Sequence, residues 1–406
     1  MKDEFDLSYT TVHGGTPALF CDALESYLAS STEVMPKLEV ILELDPTMPM
    51  AIMFRAYLLK LAADPRFRAP IVKSFEAVAD RKDLNPREQL HRKALDYWQQ
   101  DRLEDAVRVF DAITGEYPRD ILAARVAHYL HFYGSGGSQM VSSLQNVIQQ
   151  WQPGDRFYGF LKGMESFSLE ELGEYPAAEA AGREALEINP ADIWATHAVT
   201  HVLQMQSRFE EGVPFIESLS DNWAGANNFV NHMHWHKALQ HIGLGQLDEA
   251  LAIYDALLVE PLEDDFYLDV CNAASLLWRL EMLGMPVGSR WEQLLELSKA
   301  RVTDDELVFT TLHYLMAPAV LGDTDTVSKG ILHFQNWSHD DTTQGEVAKR
   351  VGLEMAQAIF EMASGRGSDG SNRLSAIKDD IYRIGGSHAQ RDLFSQLISH
   401  YHNSHN

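Results

Sequence analysis

Leu172-Gly173-Glu174-Tyr175, followed by Ala178, Ala185 and Pro190, is the stretch on which the fold turns. A small residue precedes an apolar one, and another small residue comes three further on. The same arrangement returns in Ser207-Arg208-Phe209 with Gly212, and in Gly245-Gln246-Leu247 with Ala250. The interval is about 34 to 39 residues, the length of one helix–turn–helix repeat. Outward from these copies, Asp101-Arg102-Leu103 with Ala106 and Pro118 gives an earlier one, and Leu283-Gly284 and Leu321-Gly322 give later, weaker ones. A degenerate copy fits across 120–155 and contains Gly134-Ser135-Gly136-Gly137-Ser138, read as a long turn.

Gly173, Ala178, Ala185 and Pro190 fall on the glycine, alanine and proline positions of the tetratricopeptide consensus of about 34 residues. The expected fold is therefore all-α: a tetratricopeptide-like solenoid, a right-handed superhelix of antiparallel helix pairs. Prolines at 65, 70, 86, 118, 153, 190 and 261 punctuate apolar-periodic segments as helix stops. No segment alternates at period two for long enough to argue a sheet. Roughly 18 to 22 helices of about 11–15 residues are expected, starting with a pair at 16–30 and 33–44 and a third at 48–63. One solenoid should cover 1–363. Ser364-Gly365-Arg366-Gly367-Ser368-Asp369-Gly370-Ser371-Asn372 reads as flexible, giving a loop at 364–373, then capping helices and a tail over 374–406.

The chain has 406 residues, 45% of them apolar, and no apolar run near the ~18 residues of a membrane span. Its start, Met1-Lys2-Asp3-Glu4-Phe5-Asp6, has no apolar stretch of a secretory leader, so the expected location is cytoplasmic. Cys21 and Cys271, with no CxxC, are expected as two buried reduced thiols. The formal charge of −26 argues against nucleic acid and anionic membrane as partners, because both need a basic surface that releases counterions.

In such arrays the first helix of each pair lines the concave surface, and residues at helical spacing share its face. After Pro190 these are Trp194, His197, His201 and Gln204; in the next copy they are His232, Trp235, Leu239 and Ile242, with His236 one turn beyond His232. Earlier copies add Glu88, His91, Arg125, His128, Tyr129, Phe160, Gly163, Phe167 and Glu170. Later ones add Cys271, Trp278, Phe309 and His313. A groove for an acidic peptide would present lysine, arginine and asparagine here. This one is aromatic and histidine-rich, which suits a small apolar or aromatic molecule.

His197/His201 and His232/His236 are i,i+4 pairs on neighbouring first helices. Imidazoles so spaced point the same way and suit one metal ion, with a neighbouring helix supplying further ligands. An aromatic surround with opposed histidines also suits a haem. The bland alternative is a set of histidines satisfied by backbone and neighbouring side chains. There is no HExxH, GxSxG or GxxxxGK[ST]. Glu165, Glu170 and Glu171 are weaker acid–base candidates, and the terminal Ser399-His400-Tyr401-His402-Asn403-Ser404-His405 a weak metal-binding tail.

The run Ala191-Asp192-Ile193-Trp194-Ala195-Thr196-His197-Ala198-Val199-Thr200-His201-Val202-Leu203-Gln204 closely resembles the tetratricopeptide repeat protein 38 family. So do Gly182-Arg183-Glu184-Ala185 and Trp235-His236 with Ala238-Leu239; Arg87-Glu88-Gln89-Leu90-His91 and Tyr117-Pro118-Arg119-Asp120 are weaker matches. The resemblance implies a full-length helical-repeat fold with a histidine-bearing core, and no settled activity. It carries over His197, His201, His232 and His236, then His128 and His313. The family often has Glu where Gln204 stands and Asp where Tyr129 stands.

The expected function is a helical-repeat protein holding a small apolar or aromatic ligand, or a cofactor bound by histidine. Trp194, Trp235 and the four paired histidines are the cofactor-binding candidates, and the same four histidines the metal ligands. The enzyme alternative is a haem- or metal-dependent oxidoreductase in which His128 and His313 are catalytic. A protein-interaction scaffold is the third reading.

Overall fold

A computed structural model describes residues 1–134 and 136–403. Ser135 in the 134–138 turn, and Ser404 and His405 of the proposed metal-binding tail, lie outside the described residues. Among the described residues the chain has 22 α-helices joined by short turns, with no strand. The first three helices, Thr16–Leu28, Val34–Leu44 and Pro49–Leu61, stand where expected. Among the described residues no helix is long and apolar enough to cross a membrane.

The repeated small residue has a conformational cause. Gly173, Gly245, Gly284 and Gly322 all have positive φ, as do Asp101 and Ser207 at the same phase. Each closes one helix in the left-handed conformation that glycine adopts without a steric penalty. At Gly173 the closure is explicit: its N–H donates to Glu170 O and the Glu174 N–H to Leu169 O, both at 2.8 Å. The small residues that follow permit close helix crossings. Ala178 and Ala185 are fully buried, and a Cβ on Gly182 would lie 2.5 Å from Val199 Cγ2.

Local chemistry starts the helices. Asn85 and Glu88 form a reciprocal capping box ahead of Pro86. Asp120 and Asp192 cap theirs by accepting the Ala123 and Ala195 N–H groups, both at 3.0 Å. Not every proline is a stop: Pro86 opens a helix, and Pro70 sits in the first turn of Arg68–Ala79, where a missing N–H costs nothing. Pro214 and Pro318 lie inside helices.

The chain divides into two compact units, Met1–Val202 with Phe215–Val230, and Leu203–Pro214 with Asn231–Asn406. The boundaries fall within the helices Ile193–Met205, Phe209–Ser220 and Phe229–Gly243, so these three belong to both. The first unit has a continuous core running from Phe5 through Phe54, Phe110 and Phe157 to Ala198. Its 215–230 segment is tied to the first helix–helix turn by Thr32 N–H to Gly225 O and Asn227 N–H to Ser30 O. In the second unit the helices Tyr267–Met282 and Val308–Val320 are buried on nearly every face.

The flexible loop expected at 364–373 is instead helical from Gly367 to Ala376. The glycines there serve contact: a Cβ on Gly370 would lie 2.7 Å from Ala358 O, and one on Gly367 2.2 Å from the Tyr401 ring. Ser371 Oγ donates to Ile398 O at 2.9 Å, and Arg373 pairs with Glu361. Cys21 and Cys271 are buried free thiols, as expected.

Candidate metal centre

The helix Ile193–Met205 carries His197 and His201 one turn apart on its buried face. Their Nε2 atoms face each other at 2.9 Å. On the outer side of His201, Nδ1 lies 3.5 Å from Glu170 Oε2, and both side chains are shut off from solvent. Phe167, Trp194 and Phe229 enclose the His197 ring, with centroids 5.3, 5.3 and 5.0 Å away. Glu170 sits near the end of Tyr158–Glu171, one residue before the turn that Gly173 closes.

The helix Phe229–Gly243 carries the same arrangement. The Nε2 atoms of His232 and His236 face each other at 3.2 Å. His236 Nδ1 lies 3.1 Å from Gln204 Oε1, and His232 Nδ1 lies 3.0 Å from Asn272 Oδ1. Trp235 stacks on His232 with an interplanar angle of 14° and donates its indole N–H to Ser275 Oγ at 3.0 Å. Gln204 and Glu170 thus each stand on the outer side of the second histidine of a pair.

An amide oxygen only accepts, so Nδ1 of both His232 and His236 donates to it, and their Nε2 atoms, meeting at 3.2 Å, need a shared proton or a cation between them. The His232/His236 pair is thus oriented from outside by amide oxygens, as metal-bound histidines are by their outer partners. All four histidine side chains are buried. Glu170, Glu171 and His201 form a grouping of potential ligands within 4.8 Å of one another.

The other expected site residues lie elsewhere. His128 is separated from His197 by Trp194 and Phe167, which contact both rings. Its Nδ1 lies 3.3 Å from Ser168 Oγ, and burial, reinforced by Arg125 and His131, holds its pKa well below the usual imidazole value. His313 donates from Nδ1 to Phe309 O at 2.8 Å, and burial lowers it to about 4. Trp194 and Trp235 wall the histidine pairs through their ring faces. Glu165 pairs with Lys162 at the surface of its helix.

Two further facts change the picture drawn from sequence. The helix faces read as an open groove are closed: Glu88, His91, Phe167, Glu170 and Trp278 are all buried. Asn272 and Ser275, which hold His232 and Trp235, lack any motif; their only signal is a place on the face of Tyr267–Met282 that already carries Cys271 and Trp278. No family model matches the chain.

Proposed function

We propose that this is a metal-binding helical-repeat protein in which the histidine pairs His197/His201 and His232/His236 bind divalent transition-metal ions. The observation that carries the reading is the meeting of Nε2 atoms within each pair at 2.9 and 3.2 Å, with the outer nitrogens of His232 and His236 engaged by amide oxygens. Two facing lone pairs repel unless a cation or proton lies between them. Neutral imidazoles at about 2.0–2.1 Å suit zinc, copper, iron or nickel. The crowding of Phe167, Trp194 and Phe229 around His197 favours an ion over a haem macrocycle. The buried setting of the histidines favours a closed site rather than an open catalytic one. The recurrence of positive φ at 101, 173, 207, 245, 284 and 322 supports a tetratricopeptide-like solenoid as its frame, consistent with the likeness to the tetratricopeptide repeat protein 38 family.

Elemental analysis of the purified full chain, then chelation and titration with cobalt(II), tests the proposal. The expected result is stoichiometric binding with a tetrahedral cobalt spectrum, lost in His201→Ala and His236→Ala and retained in His241→Ala. Failure to bind cobalt, zinc, copper or iron, or binding indifferent to both replacements, overturns it.

A further inference from the structure

Arg125 is a buried guanidinium that no carboxylate grips directly. It is 2% exposed, and its polar contacts are with the hydroxyls of Tyr27 and, at a long 3.4 Å, of Tyr129. Among the described residues no carboxylate forms an ion pair with it. Arg87, equally buried, meets Asp120 at 2.6 Å, and Arg301 meets Asp265 and Asp304. Arginine does not discharge itself by losing a proton. An unpaired buried charge is among the costlier things a fold can hold.

The surroundings of Arg125 are polar and incomplete in the same way. Its Nε, Trp194 Nε1, His128 Nε2 and Asp192 Oδ2 are buried atoms with no hydrogen-bond partner, and the buried hydroxyl of Tyr27 faces the guanidinium. Asp192 uses its other oxygen to cap a helix; burial pushes its carboxyl up to about 6 against the pull of the Ala195 N–H and Arg125. Such atoms rarely go unsatisfied in a finished structure. Tyr27 and Tyr129 are only half-buried, so this edge of the cluster reaches solvent.

We infer that this cluster in the first unit is a binding site for a small organic carboxylate that also carries a hydroxyl or amino group. The guanidinium lies over Trp194, 4.0 Å from its centroid, and beside Tyr129 at 4.8 Å. Its faces are covered and its edges are left for a partner. A planar carboxylate matches those edges with two parallel bonds, which a tetrahedral anion does less well. The Trp194 indole N–H and the Tyr27 hydroxyl add donors. The second group of the ligand meets His128. Ser168 Oγ gives its hydrogen to Met164 O at 2.9 Å and so accepts from His128 Nδ1, leaving Nε2 as a lone acceptor pointing into the cluster. The site does not depend on the metal.

Calorimetric titration of the full chain with lactate, lactamide and inorganic phosphate tests this, on metal-loaded and metal-stripped protein. Saturable lactate binding is expected in both forms, with lactamide and phosphate each weaker by about tenfold or more, as loss of a charge-assisted pair implies. Arg125→Met should lose lactate by the same factor, and Trp194→Phe should weaken it several-fold with the fold intact by circular dichroism. His201→Ala should keep lactate binding, which separates this site from the metal centre. Absence of saturable lactate binding, lactamide or phosphate bound as tightly, or unchanged affinity in a folded Arg125→Met or Trp194→Phe overturns the assignment. If Arg125→Met does not fold, the lactate–lactamide comparison and Trp194→Phe decide.

Discussion

Arg87 Nη1 lies 2.6 Å from Asp120 Oδ2, and neither side chain reaches solvent. His91 Nε2 approaches the same oxygen at 2.9 Å, and Tyr57 Oη stands 3.1 Å from His91 Nδ1. Asp120 also caps its helix. One carboxylate thus joins two helices of the first unit, and removing it strands a buried guanidinium. Asp120→Ala should cost about 3–5 kcal/mol, the usual loss when one member of a buried pair is deleted. Urea unfolding measures it; a loss under about 1 kcal/mol would mean that water reaches Arg87.

The same carboxylate makes stability depend on acid. Burial pushes Asp120 up, but His91, Arg87 and the Ala123 N–H together pull it well below the carboxylate range. A depressed folded pKa gives stability that is fully present above the unfolded pKa near 4 and is lost as pH falls toward the folded value. Wild type should therefore lose stability below about pH 4, with a shallower loss in Asp120→Asn. Parallel unfolding curves for the two proteins would refute this.

His313 contributes in a higher window. Its imidazole is held neutral down to about pH 4 against a usual value of 6.5, so the unfolded chain binds the extra proton first. Stability from this group is present above 6.5 and falls between 6.5 and 4, by up to about 1.4 kcal/mol per pH unit. His313→Leu should flatten that slope relative to wild type, read from urea midpoints at a series of pH values.

Glu170 tests how the metal ligands are oriented. Its carboxylate lies outside His201 while Gln204 does the same for His236. Glu170→Gln should weaken cobalt affinity by about 10–100-fold, the range for lost outer partners of metal-bound histidine, and Gln204→Ala should act in the same direction. Competition with a chelator of known affinity gives the number. Unchanged affinity in both variants would show that the rings are oriented by packing alone.

Gly370→Ala examines the C-terminal helices. The added methyl meets Ala358 O at 2.7 Å, and overpacking of this kind costs about 1–3 kcal/mol. Gly14→Ala, where nothing lies within 4 Å, is the control and should change the melting temperature little.

The helices were legible because turn and contact each leave a mark: Gly173 and Gly245 announce the left-handed closures, and Ala178 and Ala185 the crossings. The histidine pairs were legible because i,i+4 spacing on an apolar helix is itself a geometric statement. Residues 364–373 were misread for a related reason. Composition does not distinguish glycine chosen for freedom from glycine chosen for closeness, and Gly370 is there so that a carbonyl can touch its Cα. The burial of Glu88, His91 and Phe167 depends on how closely successive helices approach, which no single repeat encodes. Asn272 reaches His232 from forty positions away, a pairing that only the folded chain makes.

Cys21 belongs to the first compact unit and Cys271 to the second. Burial, with Asp3 beside it, pushes the Cys21 thiol up to about 12, and burial drives Cys271 well above its ordinary value. Neither is a competent nucleophile while its surroundings stay closed. Each unit therefore carries its own clock: the rate at which a thiol-specific reagent modifies each cysteine counts the openings of that unit alone. Mass spectrometry of the two peptides would show whether the halves open together or one at a time, without a mutation or an added probe.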